Sequence, residues 1–388
     1  MRNKLGLTLG ALFLAPVLAS ASDGARVTYD KGTKIEVPAA GFDMQLNTSL
    51  ATYYSFTSVG KKDLHDIKNA NSFDVARADL MVGGNIADKA FSYYLRYAFA
   101  DVEMGANDVY WEILNGYTPG GSAAPVNNYN WLKEAWIQLN AGENTYVRAG
   151  QQKQMYGLQS SIDEEGRVFA SSALPYVLAS NNSSPARGTG VTASHTLKMD
   201  CDALTVVGGI FNGYTGDHAD VYTDVLGVLA ANFIGNGYDR SYEGDYYQTK
   251  NLAWTVGVSG SYGEWDHESA WRLGGDLGVK VDGFALQAEV DYQNFKESRD
   301  NSFLSYYLQA SAFVVPKQLE VGLRFSQFTR HKDATITDVR NSFEGSGVVN
   351  YYLAGPALKW QTGLSYYSLA ADARYPEWRV LTGLVGNF

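Results

Sequence analysis

Side chains able to do chemistry are plentiful in this sequence, but few stand in catalytic spacing. The histidines are His65, His195, His218, His267 and His331. None belongs to an HExxH segment, which would set two imidazoles on one helix face around a metal. The single cysteine, Cys201, lies between Asp200 and Asp202, where nothing basic lowers its pKa, and one cysteine cannot form an intrachain disulfide. There is no G-x-S-x-G nucleophile elbow. Ser194 precedes His195, but adjacent residues of a strand point to opposite sides, so they are not a nucleophile and its base. No enzyme, cofactor or metal site is expected from these residues. The densest charge group is Asp163–Glu164–Glu165–Gly166–Arg167. Asp217, Asp220 and Asp224 form a second group; carboxylates suit hard cations, yet without a glycine-punctuated calcium loop a solvated face is expected. Elsewhere charged residues recur at every second position, and groups spaced this way act through their fields rather than by bond making.

The elements that carry them are strands. Phe42, Met44, Leu46, Leu50, Tyr54 and Phe56 share one face of an alternating segment, with Asp43, Gln45, Asn47 and Ser49 on the other. Phe91–Phe99, Trp254–Tyr262, Phe284–Gln293 and Gln318–Ser326 repeat the pattern. Many such segments reach ten residues or more, beyond the ordinary strand of ~5–6. Arg2 and Lys4 precede an apolar run from Leu5 to Leu18, followed by Ala19, Ser20 and Ala21. This predicts a secretory signal peptide over 1–21, a periplasmic N-terminal segment over 22–41 and a barrel over 42–388. No later apolar run is long enough for a membrane helix, so a membrane crossing would have to use strands. A net charge of -10 argues against nucleic acid as a partner. The 40 glycines and 27 tyrosines against 9 prolines fit long strands better than disorder. Tyrosine pairs such as Tyr53–Tyr54 and Tyr93–Tyr94 fit the aromatic girdle of a membrane barrel, and an aromatic at Phe388 fits the C-terminal mark by which such barrels are recognised for insertion.

Connections alternate between short and long. Short ones are expected at 87–90, 141–144, 199–203, 282–283, 316–317 and 355–356, with a seventh after Phe233, where Gly235–Asn251 is long for a turn. Long polar loops are expected near 57–71, 102–130, 154–186, 212–221, 263–270, 296–302, 330–343 and 369–376. The fold class is therefore all-β: a transmembrane antiparallel barrel of about sixteen strands, with short periplasmic turns and long external loops. The loop Gln154–Ala186 is expected to fold into the lumen, with Val168–Ser180 able to form a short amphipathic helix.

Alternation also assigns a lumenal charge set. The bases are Arg77, Arg96, Arg148, Arg272, Lys280, Arg324, Lys359 and Arg379; the acids are Asp43, Asp79, Glu134, Asp276, Glu289, Asp291 and Glu320. So balanced a wall selects weakly. Lys153, Arg167 and Arg187 are expected to form the basic side of a constriction opposite Asp163, Glu164 and Glu165. The expected activity is passive diffusion of ions and small hydrophilic solutes through an outer membrane of lipid and lipopolysaccharide. The alternatives are a general or mildly cation-preferring channel, and a sealed structural or adhesive barrel. Many inward positions are Ser, Ala, Gln or Gly, which favours an aqueous lumen.

Several stretches carry a family likeness. They are "GTKIEV" at 32–37 with "GFDMQLNTSL" at 41–50, "FDVARADLMVGGNIADKAFSYYLRYAF" at 73–99, "LKEAWIQLN" at 132–140, "YVRAGQQKQMYGLQ" at 146–159 and "FNG" at 211–213. In these the chain resembles the phosphate-selective porin O and P family. The resemblance implies a homotrimeric sixteen-stranded outer-membrane porin with a loop in its lumen and a preference for anions or phosphate. Arg77 then stands for the family's lumenal base on the second strand, although Ala76 replaces the second base often found beside it. Arg148, Lys153 and Tyr156–Gly157–Leu158 match the run into the lumenal loop. The dense arginine ladder of the phosphate porins has no evident counterpart on these faces.

Overall fold

The computed structural model describes residues 26–29, 32–59, 68–101, 132–173, 187–212, 225–265, 268–295, 302–330, 341–370 and 374–388. The expected signal segment lies outside them, as do Asp217, Asp220, Asp224 and the four histidines other than His195.

The strands, in chain order, are β1 (Arg26–Tyr29), β2 (Thr33–Val37), β3 (Phe42–Val59), β4 (Lys68–Ile86), β5 (Phe91–Asp101), β6 (Leu132–Asn140), β7 (Thr145–Lys153), β8 (Arg187–Met199), β9 (Asp202–Asn212), β10 (Val225–Gly235), β11 (Ala253–Trp265), β12 (Glu268–Val281), β13 (Phe284–Phe295), β14 (Phe303–Val315), β15 (Leu319–Arg330), β16 (Asn341–Tyr352), β17 (Leu358–Ala370) and β18 (Arg374–Asn387). From β3 to β18 each strand pairs antiparallel with the next, and β18 returns to β3 from Asn387↔Ser49 to Glu377↔Val59. This is a closed sixteen-stranded antiparallel barrel. Closure leaves no open edge in the lipid, where each unsatisfied backbone group would cost several kcal/mol. β2 continues the line of β18 along the lower part of β3, pairing Phe42–Leu46, and β1 folds back on β2.

The faces are inverted relative to a soluble protein. Ile137, Ile210, Leu229 and Leu323 are 62–71% exposed on the outside, while Arg96, Glu344 and Thr255 are wholly buried inside. A long apolar outer face with a polar interior is what a lipid-embedded barrel requires.

Turns at 87–90, 141–144, 200–201, 282–283, 316–318 and 353–357 lie at the end that also holds Phe42 and Phe388. Asp282 and Gly283 have φ of 47° and 86°, the paired left-handed geometry of a two-residue hairpin that matches strand twist. At the other end strands run further than their hydropathy predicts. β11 and β12 pair through Trp265↔Glu268, where a loop over 263–270 is expected, and β3 and β4 pair through Val59↔Lys68. Beyond the lipid boundary the ladder still satisfies backbone groups, so polar strand ends remain strand.

Candidate constriction and lumenal wall

The loop after β7 turns inward. Tyr156 lies under Arg272, whose guanidinium carbon is 4.4 Å from the ring centroid. Gly157 has φ +71°, and a Cβ there would sit 2.1 Å from the Glu289 carboxylate. Only glycine fits this approach. Glu289 Oε2 accepts the N–H groups of Leu158 and Gln159, both at 3.0 Å. The chain then makes two short 3-10 turns, Gln159–Ser161 and Glu164–Gly166, and crosses the lumen.

There Asp163, Glu164 and Glu165 meet the β4–β7 wall. Arg96 is the hub. It bonds Asp79 at 2.7 Å, Asp163 and Glu164 at 3.1 Å and Glu165 at 3.0 Å. Arg77 pairs with Glu164 at 2.8 Å, Lys133 lies 3.5 Å from both Asp79 and Glu164, and Lys153 bonds Asp163 at 2.7 Å. Arg187 lies 3.4 Å from Glu134. Burial opposes ionisation of Glu164, but Arg77, Lys133 and Arg96 outweigh it and hold its carboxyl well below the ordinary range. Burial likewise opposes ionisation of Glu165 and Asp163, and Arg96 with Arg77 lowers the first, Lys153 with Arg96 the second. Oxygens of Asp79, Glu164 and Glu165 lie within 4.8 Å of one another, a spacing that could hold a cation. Arg96 contacts all three and supplies that positive charge itself.

Past Gly166 the loop fastens to the opposite wall. Lys359 donates to the Arg167 carbonyl, and the Val168 carbonyl accepts from Asn350 at 3.0 Å and Gln361 at 2.6 Å. Arg324 pairs with Glu344 at 2.5 Å, donates to the carbonyls of Ser171 and Ser172 at 2.9 and 3.2 Å, and covers Phe169 at 4.4 Å. The described part of the expected helix, 168–173, makes bends instead, because its carbonyls are claimed by these wall donors; 174–180 lie outside the described residues.

A second insert comes from the turn end. Residues 236–252, between β10 and β11, fold up into the lumen. Arg240 bonds Asp276 at 2.9 Å, and Lys280 donates to the carbonyls of Asp239 and Tyr242, each at 2.7 Å. Tyr246 packs on Tyr352 with centroids 5.1 Å apart. The two inserts join directly: Glu243 N donates to the Gly166 carbonyl at 2.9 Å, and its carboxylate accepts Val168 N at 2.7 Å. A narrow cleft remains beside them, lined by Glu165, Tyr242, Tyr246, Tyr352, Pro356 and Lys359.

Of the residues expected at the constriction, Arg77, Arg96, Lys153, Asp163, Glu164 and Glu165 come together, with Arg187 and Glu134 paired beside them. Arg148 stands lower on the same wall, bonded to Gln138 at 2.8 and 3.0 Å. Arg167 and Arg324 do not join the group. The Arg167 side chain is 8% exposed and donates to Ser172, and Arg324 is a loop fastener. Lys133 was hidden from the alternation by a bulge: Arg96 pairs Glu134 and Tyr97 pairs Leu132, so Lys133 is skipped and turns inward. The second insert announced itself only through the length of Gly235–Asn251.

The sequence model of phosphate-selective porin O and P matches residues 50–374. Comparison with curated proteins gives no match. Among solved structures, the chain is similar to an anion-selective porin from Comamonas acidovorans (13% identity, covering 89% of this chain and 100% of that one, TM-score 0.57). It is similar to OprB of Pseudomonas putida (10% identity, 90% and 95% covered, TM-score 0.59). It is also similar to Salmonella typhi OmpF in complex with daunomycin (11% identity, 94% and 100% covered, TM-score 0.56). With the closed barrel, the inverted faces and the loop-filled lumen, the match over most of its length places this chain in the phosphate-selective porin O and P family, as a passive channel of the bacterial outer membrane.

Proposed function

We propose that this porin is a weakly anion-preferring diffusion channel rather than a phosphate-specific one, and that it performs no chemical step. The carrying observation is the pairing at the constriction. Arg77, Arg96, Lys133, Lys153 and Arg187 stand against Asp79, Glu134, Asp163, Glu164 and Glu165, so the bases there are matched by acids. A ring so compensated presents a transverse field but little net potential along the pore. The positive excess sits below it, at Arg148, which contacts rings and an amide rather than a carboxylate. The described wall thus offers Arg148, not a ladder that would strip the hydration of a dianion.

A planar bilayer experiment tests this. A KCl gradient should give a small reversal potential of anion-selective sign, and added phosphate should leave the current unblocked. Phosphate block at low concentration would restore the phosphate-specific reading, and a cation-selective potential would favour the general-porin one. The homotrimer implied by family membership belongs to the same proposal; a mass measurement in detergent of three chains per particle would support it, and a single chain would remove it.

A further inference from the structure

We propose that the row Tyr94–Trp136–Arg148, low on the β5–β7 wall, is a binding step for small monocarboxylates that carry a flat apolar body. This rests on the channel reading above and adds a substrate class to it.

The row is built across three strands. Tyr94 and Trp136 are directly opposed in the β5–β6 ladder, with ring centroids 5.5 Å apart and planes 28° from parallel. Their other neighbours in the ladders are glycines, Gly83 beside Tyr94 and Gly150 beside Trp136. A Cβ on Gly83 would come 2.9 Å from the Tyr94 ring, and Gly150 holds φ +128° with Ala135 O 2.2 Å from where a Cβ would be. The Tyr94 ring thus lies against the bare backbone of Gly83, and at Gly150 only glycine fits the close approach of the β6 backbone. The Arg148 guanidinium carbon lies 3.9 Å from the Trp136 centroid and 5.1 Å from that of Tyr146. Its Nε and Nη2 both donate to Gln138 Oε1.

Two properties follow. The guanidinium is held in place before any solute arrives, so little side-chain freedom is lost on binding, and a fixed guanidinium edge matches a carboxylate. Its charge is also not spent locally. Arg77, Arg96, Arg187, Arg240, Arg272, Arg324 and Arg379 each contact a carboxylate, whereas Arg148 makes no such ion pair among the described residues. Glu134, whose field reaches Arg148, is itself bound to Arg187 and approached by Trp136 Nε1 at 3.5 Å. A cation set in aromatic surface favours a solute with one negative charge and an apolar plane, since the plane gains from the rings and the charge from the fork. Chloride and inorganic phosphate gain nothing from the rings.

The test uses the full-length protein in planar bilayers, with benzoate, acetate and inorganic phosphate added to KCl. Benzoate should reduce the current with half-effect on the order of 1–10 mM, weak enough for release. Acetate should be about tenfold weaker, because it lacks the ring surface. Arg148→Lys keeps the charge but loses the fork, and should weaken benzoate block about tenfold. Trp136→Leu should weaken benzoate and leave acetate unchanged. Heat-modifiable gel mobility confirms that each variant is folded, and the two independent variants guard against loss of either. Equal block by acetate and benzoate, stronger block by phosphate, or benzoate block unchanged in both variants would each overturn the proposal. Conduction without benzoate block would overturn it alone, leaving the channel reading standing; absence of conduction would remove both.

Discussion

The two halves of the lumenal wall carry similar residues and use them differently. Along β12–β17, Arg272, Arg324, Asp276 and Glu289 are nearly fully buried, because the two inserts lie over them and take up their hydrogen bonds. Along β4–β7, Asp79, Arg96, Lys133 and Glu134 are as buried under the acidic loop, but Tyr94, Trp136, Gln138 and Arg148 below them remain partly exposed. One wall is a foundation throughout, and the other borders the path below the docked loop. A charge on the foundation is compensated within a few ångströms and contributes little to the ions passing by, so counting lumenal charges by alternation overstates the charge a solute meets.

Four experiments sharpen or break this contrast. The largest effect should come from Arg96→Gln. It strands a buried carboxylate cluster, at a cost of ~3–5 kcal/mol, and should lower the thermal midpoint and turn the reversal potential toward cations. An unchanged potential would mean that the cluster does not border the path. Glu243→Gln should come next. It weakens the tie between the inserts by about 1–3 kcal/mol and should raise conductance and current noise without altering selectivity. A shift in selectivity would place Glu243 on the path instead.

Acid should act in the same direction, more gradually. The docked loop holds the carboxyls of Asp163, Glu164 and Glu165 below their ordinary values. Docking is thus favoured above the free carboxylate pKa of about 4 and weakens as pH falls through the depressed values. Conductance recorded from pH 7 to pH 3 should stay level and then rise below about pH 4. A rise already complete at pH 6 would contradict this account. The smallest effect should be that of Arg167→Gln, which is predicted to leave the reversal potential unmoved, whereas Lys153→Gln with Arg187→Gln should lower the anion-to-cation ratio. Equal effects of the two variants would erase the distinction between foundation and path.

Most of the barrel was legible because period-two alternation is a local signal. Phe91 to Phe99 alternate in type, and from Leu95 to Phe99 the exposures alternate with them. The acidic loop was legible too, since Asp163, Glu164 and Glu165 are adjacent and need bases to be buried. What escaped depended on contacts between distant segments. Lys133 reaches the lumen through a bulge defined by its pairing with β5, and Glu344 is a partner of Arg324 only because β15 and β16 adjoin. Arg167 looked like an eyelet base beside its acidic neighbours, but Lys359, which holds its carbonyl to the wall, lies 192 residues away.

Those long separations bear on how the molecule is made. The loop that narrows the lumen is fastened by Gln361 and Lys359, at sequence separations of 193 and 192 residues, and by Arg324 at 153. Such contacts form late, because the intervening chain must first be brought home. The narrowing therefore waits on the last strands. Until β15, β16 and β17 are in place the loop lacks these fasteners, so a barrel short of those strands is also an unnarrowed one. Docking of the loop is thereby tied to the strands that complete the wall, and not to the strands that flank the loop in sequence.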